Sequence, residues 1–257
     1  MILQVRDLRV SYSGTVVAHL PSLDLDRGEV VGIAGESGSG KSQTALALMG
    51  LTHYSAATVT GSAVLDGTEL TALSQRAWLG LRGRRIAMIM QSPRAALNPT
   101  LRLGSLFART LRLHGVPRVE RRARMEDALA EVLLDGAILE RYPHQVSGGQ
   151  AQRFAIALVA ALEVDVLIAD EPTSALDVTV QAEVIEVLRR LRERQGTALV
   201  FISHDLAVIS ELADQVVVMH EGSVVEQGPV EQILRHPAEA YTQALLDAVP
   251  VIGGSSR

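Results

Sequence analysis

The residues best suited to chemistry form a glycine-rich run at Gly35–Ser42, with the sequence GESGSGKS. It fits the pattern G-x-x-x-x-G-K-[ST], between an apolar run and a helical pattern. Glycines let successive backbone N–H groups curl around phosphate oxygens, and the N-terminus of the next helix adds partial positive charge. We expect Lys41 to reach the β- and γ-phosphates of a nucleotide and the Ser42 hydroxyl to ligate Mg²⁺. The predicted phosphate-binding residues are Gly35, Ser37, Gly38, Ser39, Gly40, Lys41 and Ser42.

A pair of acidic residues follows a second apolar run, Val164–Glu171, with the sequence VDVLIADE. An apolar strand there would deliver Asp170 and Glu171 to its carboxyl end. Asp170 could then hold the hydration shell of Mg²⁺, and Glu171 could polarise an attacking water. An acidic strand end alone is commonly just solvated. In one chain with a phosphate loop, however, the pair indicates an ATPase.

A third polar segment, Ser147–Gln150, has the sequence SGGQ, and a helix is predicted from Ala151. It offers a hydroxyl group and bare backbone N–H groups at a helix N-terminus, which is a second place for an anion. One nucleotide hardly needs both places. A dimer that holds nucleotides between its subunits would use both.

The elements that must position these residues alternate between short apolar runs and helical patterns. Four runs favour buried parallel strands: Glu29–Ala34, Arg85–Met90, Val164–Ala169 and Ala198–Ile202. Lys41–Leu51 and Val180–Arg194 are typical of helices. This alternation predicts an α/β sheet with ligands at the carboxyl ends of its strands.

Two further stretches predict an antiparallel part that flanks this core. One is Leu3–Tyr12, and the other joins Gln215–Met219 to Ser223–Gln227 through a turn at Glu221-Gly222. Gly253–Arg257 is expected to be a loose tail.

Between Ser92 and Ser147 the strand signal disappears. Four prolines separate segments such as Gly104–Leu113 and Val119–Leu134, which favour helices. We therefore predict one domain over residues 1–257. Its core comprises residues 1–91 and 148–257, with an antiparallel β part, and residues 92–147 form a helical insert.

Composition excludes several classes of protein. The 257 residues include 24 Lys+Arg and 29 Asp+Glu, so the formal charge is −5, and aromatic residues make up 3%. This composition argues against nucleic acid as a partner, whether through bulk positive charge or stacking. With no cysteine, the chain forms no disulfide and no cysteine-ligated metal site.

A membrane-spanning segment is not expected either. Charges at Arg6 and Asp7 interrupt any secretory h-region. The longest apolar stretch, Phe154–Leu162, has nine residues, whereas a spanning helix needs about 20.

Together with Gln91, Ser174-Ala175-Leu176-Asp177 and His204, the three motifs occur in the order and spacing of an ABC-transporter ATPase subunit. The chain resembles this family from about Leu3 to Pro250. The resemblance implies a P-loop NTPase core, with ATP and Mg²⁺ as ligands. It also implies that Tyr12 stacks on adenine, and that Gln91 touches the Mg²⁺ and water site and relays nucleotide state to a membrane partner.

The same resemblance assigns roles across a dimer interface. Ser147 and Gly149, within the nucleotide-binding segment that also includes Gly148 and Gln150, would contact the γ-phosphate of ATP held by the opposite subunit. Asp177 resembles the aspartate of the loop that crosses this interface. His204 resembles the histidine that grips the γ-phosphate.

Finer resemblance points to the peptide/nickel importer branch, through Leu81–Pro99, Asp177–Ala182 and His236–Pro250. Many peptide-transporting relatives continue into a cysteine-bearing extension. This sequence ends seven residues after Pro250 without a cysteine, and so resembles the shorter, nickel- or metal-chelate-type subunits somewhat more.

The leading hypothesis is therefore an ATP-hydrolysing subunit, peripheral on the cytoplasmic face of the membrane, that energises import of a peptide, nickel or a metal chelate. The resemblance implies a second ATPase subunit, favoured to be a different chain, two transmembrane permease subunits and, indirectly, a solute-binding protein. A soluble ABC ATPase outside transport is the alternative, but Ser42–Ser147 lacks the sustained heptads of a coiled coil and the chain holds one cassette. A nucleotide-dependent regulator is a further alternative, and an intact Glu171 argues against it.

Overall fold

The computed structural model describes residues 1–174 and 176–248. Within these residues one sheet of ten strands has the order β5-β4-β1-β2-β10-β9-β3-β8-β7-β6. The strands are β1 (Leu3–Tyr12), β2 (Thr15–Leu25), β3 (Val30–Ala34), β4 (Thr58–Leu65), β5 (Thr68–Glu69), β6 (Ile86–Ile89), β7 (Val166–Asp170), β8 (Ala198–Ile202), β9 (Gln215–His220) and β10 (Ser223–Pro229).

The helices alternate with these strands through much of the chain. They are α1 (Lys41–Leu48), α2 (Gln75–Trp78), α3 (Pro93–Ala96), α4 (Leu103–Leu113), α5 (Arg121–Glu131), α6 (Gly148–Ala160), α7 (Val178–Gln195), α8 (Leu206–Ser210), α9 (Val230–Arg235) and α10 (Ala240–Asp247).

Five strands, β9-β3-β8-β7-β6, pair in parallel. Every residue of β3, β7 and β8 is buried, because both faces of this part of the sheet are covered. Val30 and Ala34 belong to one hydrophobic cluster, whereas Val31 and Ile33 belong to another. The near-continuous apolar runs seen in the sequence follow from this burial on two sides.

The rest of the sheet is antiparallel, apart from a short parallel pairing of β10 with β2. β1 pairs with β2 and with β4, and β9 forms a hairpin with β10. The hairpin turn places Glu221 and Gly222 at φ 47° and 80°, which matches the predicted turn. The α/β fold class, with a parallel core and an antiparallel part, is thereby confirmed.

Sequence patterns did not predict β2, β4 or β5. Pro21 lies inside β2, and a proline weakens any strand pattern. Within β4, Gly61 has a positive φ of 90°, and a Cβ there would lie 2.1 Å from the Asp7 carbonyl oxygen. This close approach coincides with a register shift in β1, so the alternation that would reveal a strand is broken.

Residues 92–147 contain no strand. They hold α3, α4, α5 and two 3₁₀ turns, Gly136–Glu140 and Pro143–Gln145. Phe107 of α4 meets Phe154 of α6 edge to face, with ring centroids 5.7 Å apart. Both rings are fully buried, so this contact attaches α4 to the helix that follows the segment.

Several element ends differ from the predicted ones. α1 ends at Leu48 rather than Leu51, because Gly50 takes a left-handed φ of 62° and packs its Cα side against the Trp78 ring. α6 begins at Gly148 rather than Ala151, and α7 at Val178 rather than Val180. The predicted tail, Gly253–Arg257, lies outside the described residues, as do Ala175 and residues 249–250 of the segments used for the resemblance.

No helix among the described residues has both the length and the apolar character needed to span a bilayer. The apolar stretch Phe154–Leu162 instead belongs largely to α6, most of which faces the core.

Asp165, just before β7, joins three parts of the structure. Its carboxylate accepts hydrogen bonds from Arg27 at 2.5 Å and from Arg85, and Arg85 also pairs with Asp66 at 2.7 Å. Burial raises the pKa of Asp165, but the hydrogen bonds from Arg85 and Arg27 outweigh it and hold the pKa below its ordinary value. The carboxylate therefore stabilises the fold in its charged form.

We predict that Asp165→Asn lowers the free energy of unfolding at pH 7 by about 1–3 kcal/mol. Because the folded-state pKa is depressed, this stabilisation is complete above the ordinary Asp pKa and is lost as the pH falls through the folded-state pKa. Urea denaturation at several pH values measures both effects. Glu126→Gln is the control, since Glu126 and Arg122 form an exposed pair, and solvent screening leaves such pairs little effect on stability. A loss that is equally large at all pH values would contradict the electrostatic cause.

Candidate functional site

The phosphate loop (Gly35–Ser42) connects β3 to α1, and its conformation requires glycine. Gly35 has φ 145°, and a Cβ there would lie 2.2 Å from the Met219 carbonyl oxygen. Gly40 has φ 99°, and a Cβ would lie 2.7 Å from the Val17 carbonyl oxygen. A Cβ on Gly38 would instead meet nothing within 4 Å. The loop is thus tightly held at its ends and open at its middle.

Lys41 is the single lysine of the sequence, and it is buried. Its ammonium group donates to the carbonyl oxygens of Gly35 at 2.6 Å and Glu36 at 2.7 Å. Burial lowers its pKa, although Glu171 and Asp170 oppose this shift. Within the described residues it forms no ion pair closer than 4 Å, so a buried cation here is held only by neutral oxygens. Such a group suits an anionic ligand.

The carboxyl end of β7 lies beside the loop. Asp170 Oδ1 accepts a hydrogen bond from the Ser42 hydroxyl at 3.1 Å. Burial raises the pKa of Asp170, and the adjacent Glu171 raises it further, against the influence of Ser42 and Lys41. A hydroxyl and a carboxylate side by side are the oxygen ligands that Mg²⁺ prefers.

Glu171 occupies a strained position immediately after β7. Its φ is 48°, and its N–H donates to the Ile202 carbonyl oxygen at 3.0 Å. Its carboxylate lies 2.9 Å from Nδ1 of His204. Ser174 donates its hydroxyl to the Glu171 carbonyl oxygen at 2.9 Å. A left-handed non-glycine residue held by several bonds is a common feature of functional sites.

Parallel pairing explains why these residues meet. β3, β8, β7 and β6 end at the same edge of the sheet, so the loop after β3 and the residues that follow the other three strands share that edge. These residues are His204 after β8, Asp170 and Glu171 at β7, and Gln91 after β6.

Two adjoining cavities open at this edge. One of about 350 Å³ is lined by Val17, Ser37, Gly38, Gly40, Lys41, Ser42, Gln43, Gln91 and Glu171. The other, of about 410 Å³, is lined by Glu36, Ser37, Gln91, Glu171, Ser174 and His204. The structure therefore brings the phosphate loop, Gln91, Glu171 and His204 together around connected space.

The SGGQ segment (Ser147–Gln150) lies elsewhere. Ser147 caps α6: its hydroxyl accepts the Gln150 N–H at 3.2 Å, and the Gln150 side chain accepts the Ser147 N–H at 3.1 Å. Gly149 packs so closely on Val180 that a Cβ would lie 2.4 Å from that side chain. Asp177 caps α7 by accepting the Val180 N–H at 3.0 Å.

The N-termini of α6 and α7 therefore form one surface, which we call the capped face (Ser147–Gln150 and Leu176–Val180). None of its residues lines either cavity described above. The face carries a large exposed apolar side chain, Val178, which is 76% accessible. It is suited to contact a second molecule.

Tyr12 lies at the end of β1, near α1. Its hydroxyl is 2.9 Å from Gln43 Oε1 and 2.9 Å from the Ser55 hydroxyl. Gln43 lines the first cavity, whereas Tyr12 does not line it and reaches it only through this contact with Gln43. The assignment of Tyr12 to an adenine remains a prediction.

Sequence reasoning missed several residues at the site. Val17 and Gln43 line the first cavity, and Tyr241 on α10 contacts the loop at Glu36. Gln43 could have been found from its place on the first turn of α1. Val17 could not, because β2 was not predicted, and Tyr241 lies 205 residues from its partner.

Among the described residues no group of three or more His, Asp or Glu side chains is arranged to hold a metal ion. A magnesium ion held by one or two protein oxygens and by phosphates needs no such cluster. Ser42 and Asp170 therefore remain the residues that fit this role, with Gln91 beside them.

Comparison with known proteins gives a consistent result. Residues 19–174 match a family profile described as "ABC transporter", and residues 225–257 match one described as "Oligopeptide/dipeptide transporter, C-terminal region".

Curated relatives match over most of this chain. The dipeptide transport ATP-binding protein DppD of Lactococcus lactis subsp. cremoris is 40% identical over 99% of this chain and 75% of its own length. The probable D,D-dipeptide transport ATP-binding protein DdpD of Escherichia coli is 42% identical over 98% of this chain and 79% of its own length. The glutathione import ATP-binding protein GsiA of Salmonella choleraesuis is 46% identical over 90% of this chain, which spans only 39% of that protein.

Solved structures show the same fold. CbiO1 of Clostridium perfringens, part of the ABC transporter complex cbiONQ, superposes with a TM-score of 0.79 at 28% identity and 90% coverage of both chains. The ATP-binding cassette MJ0796, a dimer bound to ADP and phosphate, superposes with a TM-score of 0.76 at 25% identity over 89% of this chain and 98% of its own.

We predict that Asp170→Asn raises the free energy of unfolding by about 0.5–2 kcal/mol in buffer without nucleotide or divalent cations. The charged carboxylate is buried next to Glu171, whereas asparagine keeps an acceptor for the Ser42 hydroxyl and removes the charge. Denaturant unfolding in EDTA measures the change.

Asp127→Asn on the exposed side of α5 is the matched control, expected to change stability by less than about 0.5 kcal/mol. A clear loss of stability in Asp170→Asn would show that this carboxylate is held mainly by attraction to Lys41.

Proposed function

Because the chain belongs to the family of ABC transporter ATP-binding subunits, we propose that it hydrolyses Mg·ATP to drive import of a small peptide-like solute through separate membrane subunits. One observation carries the chemical part: Lys41, Ser42, Asp170 and Glu171 converge on one edge of the sheet. The relatives named for dipeptides and glutathione, and the match of residues 225–257, support the choice of solute.

The resemblance seen in the sequence is thereby confirmed for the ABC family and for its peptide-importing members. The finer expectation of a nickel- or metal-chelate-type subunit stays a prediction.

The residues present fit a magnesium nucleotide. Gly38 faces open space, so phosphate oxygens could approach the backbone of the loop. Lys41 supplies a buried cation that lacks an anionic partner within the described residues. Ser42 and Asp170 would hold Mg²⁺, with Gln91 beside the same cavity, and the bound ion would neutralise charge on the phosphate oxygens.

Hydrolysis would then depend mainly on position and charge. Lys41 would keep its hydrogen bond to the Gly35 carbonyl oxygen and turn its other donors, one of which now reaches Glu36, to the β- and γ-phosphates of ATP. Glu171 orients a water molecule and takes its proton while the water oxygen bonds to the γ-phosphorus and the bond to ADP breaks. His204, which is 59% exposed and bonded to Glu171, would contact the γ-phosphate and keep this carboxylate in position.

A second ATPase subunit would complete the site. The capped face presents Ser147, Gly148, Gly149, Gln150 and Asp177 away from the chain's own cavities, together with exposed Val178. We propose that this face closes over the nucleotide of a partner ATPase subunit. The resemblance to peptide importers favours a different chain as that partner.

The permease subunits would contact the helical segment, residues 92–147, which we propose as a separate subdomain. A groove of about 380 Å³ on α4 and α5 is lined by Leu101, Ser105, Ala108, Arg109, Arg112 and Arg121. No carboxylate lines this groove, and Arg109 and Arg112 are exposed. It suits a permease segment with acidic and small apolar side chains. Such docking would keep the subunit peripheral on the cytoplasmic face, with Gln91 relaying nucleotide state and a solute-binding protein acting outside.

We predict that Glu171→Gln slows single-turnover ATP hydrolysis by about 10²–10⁴-fold, the range for a positioned general base. Glutamine keeps the shape and the contact with His204 but cannot take the proton. Affinity for Mg·ATP should stay near that of the parental chain, since Lys41 and Ser42 are unchanged. Size-exclusion chromatography with Mg·ATP should also show more dimer when the partner carries the matching change.

Glu193→Gln, on the exposed surface of α7, is the control for this charge removal and should hydrolyse ATP at the parental rate. Parental hydrolysis by Glu171→Gln would remove Glu171 from the role of general base. Slow hydrolysis without added dimer would retain that role and reject the idea that removing the negative charge of Glu171 weakens repulsion between the two subunits around the nucleotide.

We predict that the double variant Arg109→Glu/Arg112→Glu loses at least about 10-fold in permease-dependent membrane association, because the reversed charges repel acidic groups in the groove. Membrane fractionation after expression with and without permeases measures this. The pair Arg118→Glu/Arg122→Glu reverses two exposed charges of the same segment outside the groove and should associate normally. Equal association of the two double variants would place the permease elsewhere.

A further inference from the structure

Tyr241, on α10, contacts the phosphate loop at Glu36 but lines neither of the two cavities. Its hydroxyl oxygen accepts the Glu36 N–H at 3.1 Å. Its ring packs on the His220 ring, with centroids 3.9 Å apart. α10 belongs to the stretch that matches the oligopeptide/dipeptide C-terminal profile. A part of the chain outside the ATPase profile therefore touches the nucleotide site.

The contact falls on one particular peptide group. The Glu36 N–H and the Gly35 carbonyl belong to the same planar unit and point in opposite directions. The carbonyl oxygen accepts a hydrogen bond from Lys41 Nζ at 2.6 Å, and the N–H donates to Tyr241. An ammonium on the carbonyl polarises the peptide and strengthens the bond made by its N–H. Tyr241 and Lys41 thus hold opposite ends of one peptide.

Packing leaves this peptide little freedom. Gly35 lies so close to the Met219 carbonyl oxygen that no side chain fits, and the next residue along β9 is His220, which carries the Tyr241 ring. The end of β9, the first peptide of the loop and α10 form one contact unit. Burial raises the pKa of the Tyr241 hydroxyl, so this group stays neutral at physiological pH.

We propose that Tyr241 is a positioning residue for the nucleotide site: by fixing the Gly35–Glu36 peptide it places Lys41 for phosphate, so the C-terminal region helps to set the affinity for ATP. This inference rests on the proposed binding of Mg·ATP at the loop. It assigns to α10 a direct connection with the residues that bind the nucleotide.

Tyr241→Phe is the decisive variant, since it keeps the ring on His220 and removes only the hydrogen-bond acceptor. We expect the Kd for Mg·ATP, measured by titration calorimetry, to rise about 3- to 10-fold, the effect of one lost hydrogen bond. The value of kcat at saturating ATP should stay within about twofold of the parental value, because Ser42, Glu171 and His204 are unchanged. Tyr142→Phe, which removes a hydroxyl from the helical segment, should leave Kd unchanged.

Amide hydrogen exchange at Glu36, followed by NMR without nucleotide, tests the contact independently of activity. The exchange should become faster in Tyr241→Phe and stay parental in Tyr142→Phe. Unchanged Kd together with unchanged exchange would overturn the proposal. So would a raised Kd with a lowered melting temperature and parental exchange at Glu36, which would assign Tyr241 to packing alone. If the parental chain itself fails to bind Mg·ATP, the proposed function fails, while the exchange result still reports on this contact.

Discussion

A buried ammonium group held by two backbone carbonyls is the constraint on which the rest of the site depends. Lys41 cannot remain buried without partners, and here the partners are the Gly35 and Glu36 oxygens. For those oxygens to point at Nζ, the chain must turn sharply after β3, which only glycine permits beside β9. The placement of β3 within the sheet, the glycines and the contact with α10 all serve this one geometry.

The same constraint explains the acidic pair. Asp170 and Glu171 raise the pKa of Lys41 while burial lowers it, and burial raises the pKa of Asp170. Each charge is costly alone and is offset in part by the other. A ligand with its own phosphates and cation would satisfy both groups at once, which is why such a site is more favourable when filled.

The sequence predicted the parts of the structure that depend on local pattern. β8 and the phosphate loop follow from an apolar run and from glycine spacing, and the edge where Glu171 and His204 meet follows from parallel pairing. β2 and β4 were not predicted because Pro21 and Gly61 break the alternation of apolar and polar residues in these strands. The contact of Tyr241 with the phosphate loop was not predicted, because nothing near it in the sequence indicates a partner 205 residues away. Caps also shifted helix starts, since Ser147 and Asp177 begin α6 and α7 earlier than periodicity alone suggests.

The single lysine has a consequence for the chemistry of the whole polypeptide. Every other basic side chain that stays charged at neutral pH is arginine, and guanidinium groups do not react as amines. Carbamylation or reductive methylation of side-chain amines is therefore confined to Lys41 in the phosphate loop, with the chain's α-amino group as the other amine target. A reagent that is unselective on most proteins becomes a site-directed label on this one, and the mass it adds reports directly whether the phosphate loop is shielded.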